Sequence, residues 1–599
     1  MGIRMTDRLQ EGVSLLALCA GEDETDIGNG NRFCHRYGDD VRFVTHIGFH
    51  VFDSLRWRED EGREMGGKHV RPLAHRTAEA IRFECAEIVA DDAQLLLVEA
   101  GNDAEAEMDR IGPPKKDEAA EVHRQWKLLK EAVQRRDDIG KGIDEARSRR
   151  ASYCRSSQNS GKLDNMLKEA APYLSCTIDE MNTDPLALNC RNGTVRFAKF
   201  EDQESDPDDP RFRWHARLDP HRREDLISKL FEADVLAAPA PSQEGPARPD
   251  IAIPSDRLMD AEALLRIAHK AAPNFIEFIH RMQPDLDMRD YLRRVFGYML
   301  TGLTGEQVIF FFYGIGANGK STMTDVIGRM MSDYSVTLGI ESFTGDARRG
   351  GADATPDLAR LNGAYACFAS EGDESARLKE GLIKLLTGDD KIAVRKLHQD
   401  FVEIQIKAKF VITGNHKPII RGDDDGIWRR VHLIEWPVQI PREERDKDLP
   451  AKLLAERDGI FAWMLAGALE FLTLGGLHPP AAVLAAVQEH REESDPISAY
   501  IRGGCEVSGD ESDQVTPGEL YEGYVLFCRR EGLTPFGAST FNRRLPDKSK
   551  MAWKSPDGRM RQFVRTKSGA TVYRGIRIQS AFRPGSGSDW PSGRDAPLD

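Results

Sequence analysis

The middle of the chain carries three short apolar runs, each leading into a glycine or a polar residue. They cover residues 307–313, 365–371 and 409–415. Continuous apolar runs of this length are typical of strands buried on both faces of a parallel sheet, whereas half-solvated strands alternate apolar and polar residues. The segment 322–331, after the first run, has a helical pattern. The sequence therefore predicts an α/β fold for this region.

Helical periodicity predicts much of the rest. Apolar residues recur at spacings of three and four over 255–304, and 453–474 is helical and apolar, as expected of a lid or connector. A charged helical tract covers 117–150, with a break expected at Gly140 and Gly142 because glycine disfavours helix. Short aromatic segments at 41–44 and 47–52 predict strands, so the N-terminal third is expected to be a mixed α/β module.

The C-terminal segment is predicted to form a small separate unit. Residues 517–530 and 537–545 have helical patterns, and 559–578 predicts two strands with several basic residues. Two helices followed by a basic strand pair favour a winged helix that binds duplex DNA, with Arg543 and Arg544 on the helix that enters a groove. A winged helix that docks on a protein is an open alternative, because the arginines are few.

Composition limits the classes of partner. The 599 residues carry a formal net charge of −15, so any contact with nucleic acid must come from local basic patches. Nine cysteines are scattered singly with no C-x-x-C pair, which supports neither a zinc site nor a disulfide framework and fits a reducing cytoplasm. No apolar run is long enough to span a bilayer, so no membrane association is expected.

A phosphate-binding motif follows the first apolar run. Residues 314–321 fit G-x-x-x-x-G-K-[ST] between a predicted strand and a predicted helix, the context that such a motif requires. Glycine lets backbone N–H groups face phosphate, Lys320 is expected to reach the β- and γ-phosphates, and the Ser321 hydroxyl to hold Mg²⁺. The predicted cofactors are thus ATP and Mg²⁺. The predicted nucleotide-binding residues are Gly314, Gly316, Asn318, Gly319, Lys320, Ser321 and Thr322.

The ends of the other apolar runs supply candidates for hydrolysis. Glu371 is predicted to position water and to assist Ser321 in holding Mg²⁺, with Asp373 and Glu374 as alternatives. An exposed carboxylate at a strand end is the structural alternative. Asn415 is predicted to contact the γ-phosphate or orient the attacking water. Arg429 or Arg430 is predicted to enter the site of a neighbouring subunit, unless the pair forms ordinary surface ion pairs.

The order of these motifs resembles a known family. Gly314–Ser321, Glu371, the basic segment 384–398 with Arg395, Lys396 and His398, Asn415 and Arg429–Arg430 follow one another as in the superfamily 3 helicase core of phage and plasmid primase-helicases. The segments 25–29, 37–42 and 188–195 resemble the module that precedes this core in phage, plasmid and poxvirus relatives. The resemblance implies a P-loop AAA+-like ATPase core, and it places Asn192-Gly193 on a hairpin turn.

The resemblance also implies an assembly. A homo-hexamer would project its Arg395, Lys396 and His398 hairpins into a central channel, where symmetry multiplies a small basic patch. The helices at 255–304 would form an oligomerising collar. A primase domain has no room before residue 25, so no primer synthesis is expected of this chain, and a separate primase or initiator is a possible partner.

The expected organisation has seven parts. They are the pre-helicase module at 1–200, a linker or insertion at 201–254, the collar at 255–304, the ATPase core at 305–445, a helical lid or connector at 446–493, a winged-helix-like domain at 494–580 and a disordered tail at 581–599. The function expected is an ATP-dependent 3′–5′ helicase on single-stranded and forked DNA in phage, prophage or plasmid replication, in the bacterial cytoplasm. The alternative is a DNA-binding ATPase switch, an initiator or loader without processive unwinding.

Overall fold

The computed structural model describes residues 14–61, 66–201, 212–236, 258–345, 355–370, 377–395, 401–420 and 425–583. Within them the chain has a mixed α/β architecture with several hydrophobic cores, as predicted. Several predicted features lie outside the described residues: Glu371, Asp373, Glu374, Lys396, His398, the segments 202–211 and 237–254, and the tail after 583.

The N-terminal part is a four-stranded sheet with helices packed around it. Its strand order is β3-β2-β1-β4, with β4 parallel to β1 and the other pairs antiparallel. Phe33, Val41 and Phe49 are fully buried in the core beneath this sheet. The strands are β1 (Val41–Val44), β2 (Gly48–Phe52), β3 (Trp57–Glu59) and β4 (Ser175–Cys176), and the helices are α1 (Leu15–Ala20), α2 (Asp26–Tyr37), α3 (Val70–Ala80), α4 (Asp92–Ile111), α5 (Ala120–Ser157) and α6 (Ser160–Ala170).

The predicted helix break at Gly140 and Gly142 is wrong. Helix α5 runs without interruption for 38 residues through both glycines. Each glycine costs a helix about 1 kcal/mol relative to alanine, which pairing with a neighbouring helix can outweigh. Helix α4 packs closely along α5, since a Cβ on Gly101 would lie 2.5 Å from the Arg136 Cβ. Tertiary packing therefore overrides the local preference.

A second, antiparallel sheet joins the N-terminal part to the helices that follow. Its strands, in the order β5-β6-β7-β8, are β5 (Ala187–Cys190), β6 (Gly193–Glu201), β7 (Phe212–Asp219) and β8 (Leu258–Met259). The predicted hairpin turn exists, but it is shifted by one residue: Cys190 pairs with Gly193, so the turn consists of Arg191 and Asn192. Strand β7 lies inside the segment expected as a linker, and the sheet crosses the expected boundary at residue 200.

Helices form a layer between this sheet and the central one. They are α7 (Ala261–Ala271), α8 (Pro273–Met282), α9 (Leu286–Tyr298), α14 (Leu449–Ala455) and α15 (Arg457–Leu474). The helical pattern expected for 255–304 and 453–474 is present. Helix α15 is apolar on all sides and is buried almost throughout between α7, α9 and β7, as expected of a helix without a polar face. It therefore occupies the middle of a core.

The central sheet contains all three apolar runs. Its five parallel strands have the order β10-β11-β14-β9-β15. Along β9, Ile309 and Phe311 point into one hydrophobic cluster while Phe310 and Phe312 point into another. The prediction that this strand is buried on both faces of the sheet is thus confirmed. The strands are β9 (Ile309–Tyr313), β10 (Ser335–Thr337), β11 (Ala366–Ser370), β14 (Lys409–Thr413) and β15 (Val431–Glu435), with helices α10 (Lys320–Met331), α11 (Pro356–Ala359), α12 (Glu380–Leu386), α13 (Asp425–Trp428) and α16 (Ala481–Glu493).

A short antiparallel hairpin is attached to this sheet. Strands β12 (Lys391–Val394) and β13 (Val402–Gln405) pair with Val394 opposite Val402. Ile392, Val394 and Ile404 point into the same cluster as one face of the central sheet. The strand pair predicted around Arg395 is therefore present.

The C-terminal segment has its own core. The helix predicted at 517–530 is present with the same bounds (α18), and the helix predicted at 537–545 extends to residue 549 (α19). The two strands predicted within 559–578 are present as an antiparallel hairpin of β20 and β21. The elements are α17 (Pro496–Gly504), α18 (Pro517–Arg530), α19 (Ala538–Ser549), β16 (Cys505–Glu506), β17 (Gln514–Val515), β18 (Trp553–Lys554), β19 (Met560–Arg561), β20 (Val564–Ser568), β21 (Ala570–Arg574) and β22 (Arg577–Ile578). No described helix is long and apolar enough to cross a membrane. The nine cysteines are unpaired.

Candidate active site

A glycine-rich loop connects β9 to α10. Gly314 and Gly319 have φ angles of +142° and +81°, where a side chain is strained. A Cβ on Gly314 would lie 2.5 Å from the Trp436 carbonyl oxygen, and one on Gly319 would lie 2.8 Å from the Phe278 ring. Both positions therefore require glycine for conformation and for space.

Lys320 is the first residue of α10, and its side chain folds back beneath the loop. The residue is 5% exposed. Its Nζ donates hydrogen bonds to the Gly314 carbonyl (2.7 Å) and to Asn318 Oδ1 (2.9 Å). Burial lowers the pKa of Lys320. Asn318 is itself held by donating from Nδ2 to the Trp436 carbonyl at 3.2 Å, so the ammonium group is fixed at the loop by neutral acceptors.

The outer side of the loop is open to solvent. Gly316 and Ala317 are exposed, as is Ser321 in the first turn of α10. The first N–H groups of a helix have no intrahelical acceptor and carry the positive end of its dipole. Exposed N–H groups, a lysine and a hydroxyl together fit a phosphate group with its metal ion. Thr322 follows Ser321 and is partly buried.

The carboxyl ends of β11 and β14 lie at the same edge of the sheet as the loop. Asn415 follows β14 and is exposed, and an ideal Cβ on Gly316 would lie 3.9 Å from its Oδ1. Ser370 at the end of β11 shares a hydrogen bond of 2.8 Å with Thr413 at the end of β14. The structure thus brings Asn415 to the loop, as expected of ligand-binding residues at the carboxyl ends of parallel strands.

A segment that the sequence did not single out supports the loop from behind. The Ile440 N–H donates to the Ala317 carbonyl at 2.9 Å, and Gln439 Nε2 donates to the Gly316 carbonyl at 3.3 Å. With the contacts at Trp436, these bonds tie the loop to the chain after β15. They use mostly backbone groups, which leave no signature in the sequence.

The two candidate arginines have different environments. Arg430 is 9% exposed and donates to Thr387 Oγ1 (3.1 Å), the Gly426 carbonyl (2.6 Å) and Gln307 Oε1 (3.2 Å). Arg429 is exposed and donates to Gln307 Oε1 at 3.1 Å. Of the two, Arg429 is the one whose guanidinium is presented at the surface.

The predicted DNA-contacting residues lie on two other parts of the chain. Arg395 follows β12, and its guanidinium lies 4.9 Å from the centre of the Phe401 ring. Arg543 is exposed on α19, whereas Arg544 is partly buried over the Phe536 ring at 4.4 Å. Helix α19 belongs to the C-terminal core, so these arginines form a surface distinct from the hairpin.

Two protein-family models match parts of this chain. The model described as "D5 N terminal like" matches residues 30–284, and a "Family of unknown function (DUF5906)" matches residues 312–430. The second match contains the loop, Asn415 and both arginines.

The curated relatives come from large DNA viruses. "Putative helicase L207/L206" of Acanthamoeba polyphaga mimivirus is 26% identical over 38% of this chain and 25% of its own length. "Putative helicase 184R" of Invertebrate iridescent virus 6 is 25% identical over 42% and 29%. "Primase D5" of Fowlpox virus is 26% identical over 26% and 20%. The family and sequence matches thus make the chain similar to viral proteins named as helicases and as a D5 primase. The chain spans less than a third of the length of each of these relatives.

Among solved structures, the chain matches the apo structure of the NrS-1 C-terminal region. That match has 13% sequence identity and a TM-score of 0.31, and it covers 52% of this chain and 75% of the other. The resemblance to viral primase-helicases expected from the ordered motifs is confirmed by the family and sequence matches.

Proposed function

We propose that this chain is an ATP-dependent DNA helicase motor of a replication system. It would hydrolyse ATP with Mg²⁺ at the interfaces of a homo-hexameric ring and move 3′ to 5′ along one strand. The names of the viral relatives, which describe helicases and a primase, support an enzyme acting on DNA. The ring, the polarity and the nucleotide are our own proposals.

The main support for the proposal is that the glycine-rich loop lies next to the carboxyl end of β14. Lys320 lies under the loop, Ser321 lies at its exposed end, and Asn415 lies beside Gly316. Phosphoryl transfer needs charge neutralisation and exact positioning more than covalent chemistry. These three side chains could provide both for a nucleoside triphosphate.

A bound phosphate would change the contacts of Lys320. Its two acceptors are now a neutral carbonyl and a neutral amide oxygen. Phosphate oxygens are charged acceptors, and charge-assisted hydrogen bonds are roughly twice as strong as neutral ones. The ammonium group would therefore turn outward to the β- and γ-phosphates, and Asn318 would lose a donor.

The remaining roles follow the same reasoning. Ser321 would hold Mg²⁺, Glu371 would position the attacking water and assist the metal, and Asn415 would orient that water at the γ-phosphate. Arg429 is the better candidate for insertion into a neighbouring subunit's site, because Arg430 is held by three hydrogen bonds within its own chain. DNA would contact the hairpin at Arg395, Lys396 and His398, and duplex DNA would contact Arg543 and Arg544.

Strand displacement tests the proposal. A duplex with a 3′ single-stranded tail, one with a 5′ tail and a fork are incubated with the full chain, ATP and Mg²⁺. We expect displacement from the 3′-tailed duplex and the fork, and none with Lys320→Ala. Nucleotide-dependent DNA binding without displacement on any substrate would contradict the helicase and favour an initiator or loader.

A further inference from the structure

A cavity outside the candidate active site lies between the N-terminal sheet, the central sheet and the β12–β13 hairpin. Its volume is about 550 Å³, within the range of roughly 300–1,000 Å³ that is usual for small-molecule sites. The lining residues come from the β2–β3 region, from residues 332–336 at the edge of the central sheet and from the hairpin, together with Ile178, residues 228–229 and residues 359–362.

The lining of the cavity carries more cations than carboxylates. Four cationic side chains line it, Arg56, Arg58, Lys229 and Arg360, whereas its carboxylates are Glu59 and Asp333. This balance is opposite to the net charge of −15 of the whole chain. A local excess of positive charge in a concave site attracts anions more strongly than the same charges on a convex surface.

Arg58 is the cation best placed to receive a ligand. It is exposed on β3, and among the described residues its side chain has neither an ion pair nor a hydrogen bond. Arg56, close by, is already paired with Asp333. Burial lowers the pKa of Arg56, and the positive charge of Arg58 acts in the same direction. An anion between these arginines would relieve their repulsion.

The cavity also has an apolar part of its lining. Val394, Val402 and Ile404 of the hairpin line it together with Ile47 and Ile178. A ligand that fits both the cationic and the apolar residues must combine an anionic group with a flat or apolar body. A nucleotide has this character, because its base can pack on apolar side chains while its phosphate meets the arginines.

Two lining residues have strained backbones. His46 and Ser332 have φ angles of +64° and +46°, in the left-handed region that residues other than glycine rarely adopt. Such strain persists where the surrounding structure imposes it, often at ligand sites. His46 is also exposed and has no hydrogen-bond partner among the described residues.

We propose that this cavity binds a nucleoside phosphate, with the phosphate at Arg58 and the base against the apolar face of the hairpin. The ligand is either a free nucleotide or one unit of a nucleic-acid strand, since both present the same chemistry. Because the cavity shares its wall with the hairpin, an occupied site would also fix the position of β12 and β13. The inference does not depend on ATP binding at the glycine-rich loop.

Binding to the full chain tests the proposal. The probes are thymidine 5′-monophosphate and the 5′-phosphorylated trinucleotide of thymidine, titrated calorimetrically without Mg²⁺. Arg58→Ala should weaken binding about tenfold, and Arg58→Glu should weaken it further, because each removes a charged hydrogen bond. Arg110→Ala is the matched control, since Arg110 is an exposed arginine of the N-terminal part that, within the described part of the chain, pairs only with nearby Glu107. Circular dichroism verifies the fold of each variant.

Hydrogen exchange locates the bound probe. We expect protection of residues 48–52, 57–59 and 332–337, and the same protection in Lys320→Ala. Equal binding of both probes would identify a free nucleotide as the ligand, and preference for the trinucleotide would identify a strand. No binding of either probe, equal affinity of wild type and Arg58→Glu, or protection confined to residues 314–321 would overturn the proposal.

Discussion

Two adjacent arginines illustrate how neighbouring residues acquire different roles. Arg430 is buried with three hydrogen bonds to its own chain, whereas Arg429 is exposed. The sequence singled out the pair but could not separate its members, because identical adjacent residues carry the same pattern. Burial, which is a property of the folded chain, separates them.

We therefore predict opposite effects of two alanine substitutions. Arg430→Ala should lower the free energy of unfolding by about 2–3 kcal/mol, because buried acceptors lose a charged donor. Arg429→Ala should leave that free energy within about 0.5 kcal/mol of wild type and reduce ATP hydrolysis about a thousandfold if the residue acts as an arginine finger. Denaturant unfolding and steady-state hydrolysis measure the two effects.

Mixed assembly is the control for action between subunits. Arg429→Ala chains keep the loop, and Lys320→Ala chains keep the arginine, so mixing them should restore part of the hydrolysis that neither has alone. Full hydrolysis by Arg429→Ala alone would contradict the assignment.

At the residue scale the sequence revealed the parts of the site that have a motif. The spacing from Gly314 to Ser321 predicted the loop, and the run ending at Asn415 predicted the neighbouring strand. The supports from Trp436 and Ile440 could not be predicted, because they are backbone contacts between segments more than a hundred residues apart. Glu371 and its alternatives stay predictions.

At the scale of elements, helices α9 and α15 approach closely through glycine. A Cβ on Gly467 would lie 2.0 Å from the Arg293 carbonyl oxygen, and one on Gly297 would lie 2.1 Å from the Ala468 nitrogen. Neither contact can be relieved by moving a side chain, because the opposing atoms are backbone. The spacing of the helical layer is therefore set by these two glycines.

We predict that Gly467→Ala destabilises the chain by about 1–3 kcal/mol or more, because the two helices must separate. Gly140→Ala is the matched control, since Gly140 lies inside α5 with open space where the Cβ would be. That change should stabilise by about 0.5–1 kcal/mol. Calorimetric melting compares both with wild type, and an unchanged melting curve for Gly467→Ala would contradict the packing.

The pattern of apolar residues predicted the helices and strands themselves well. It predicted less well which elements pack against one another. Strand β9 was expected from its unbroken apolar run, and helix α18 from its spacing. The predicted interruption of α5 failed because helix continuity depends on which element lies alongside. Helix α4 supports α5, and α7, α9 and β7 enclose α15, contacts that a local pattern does not contain.

At the scale of the whole molecule, the cores explain why the expected divisions are not independent. One hydrophobic cluster runs from the β5–β8 sheet through the helical layer to one face of the central sheet. The C-terminal segment, by contrast, has a core of its own. The resemblance to viral primase-helicases was predicted from ordered motifs and is confirmed by the family and sequence matches, whereas the ring, the polarity and the winged helix stay predictions.

ATP hydrolysis with and without single-stranded DNA, in wild type and Lys320→Ala, tests directly whether the chain is a DNA-coupled motor. We predict Mg²⁺-dependent hydrolysis that DNA stimulates strongly and that the substitution abolishes while the fold is retained. Arg329→Ala serves as a control, because the exposed side chain of this arginine on α10 pairs with Asp325 alone among the residues that the structure describes. A rate of ATP hydrolysis that does not change when DNA is added would contradict a DNA-coupled motor. The absence of hydrolysis by folded wild-type protein would contradict it as well.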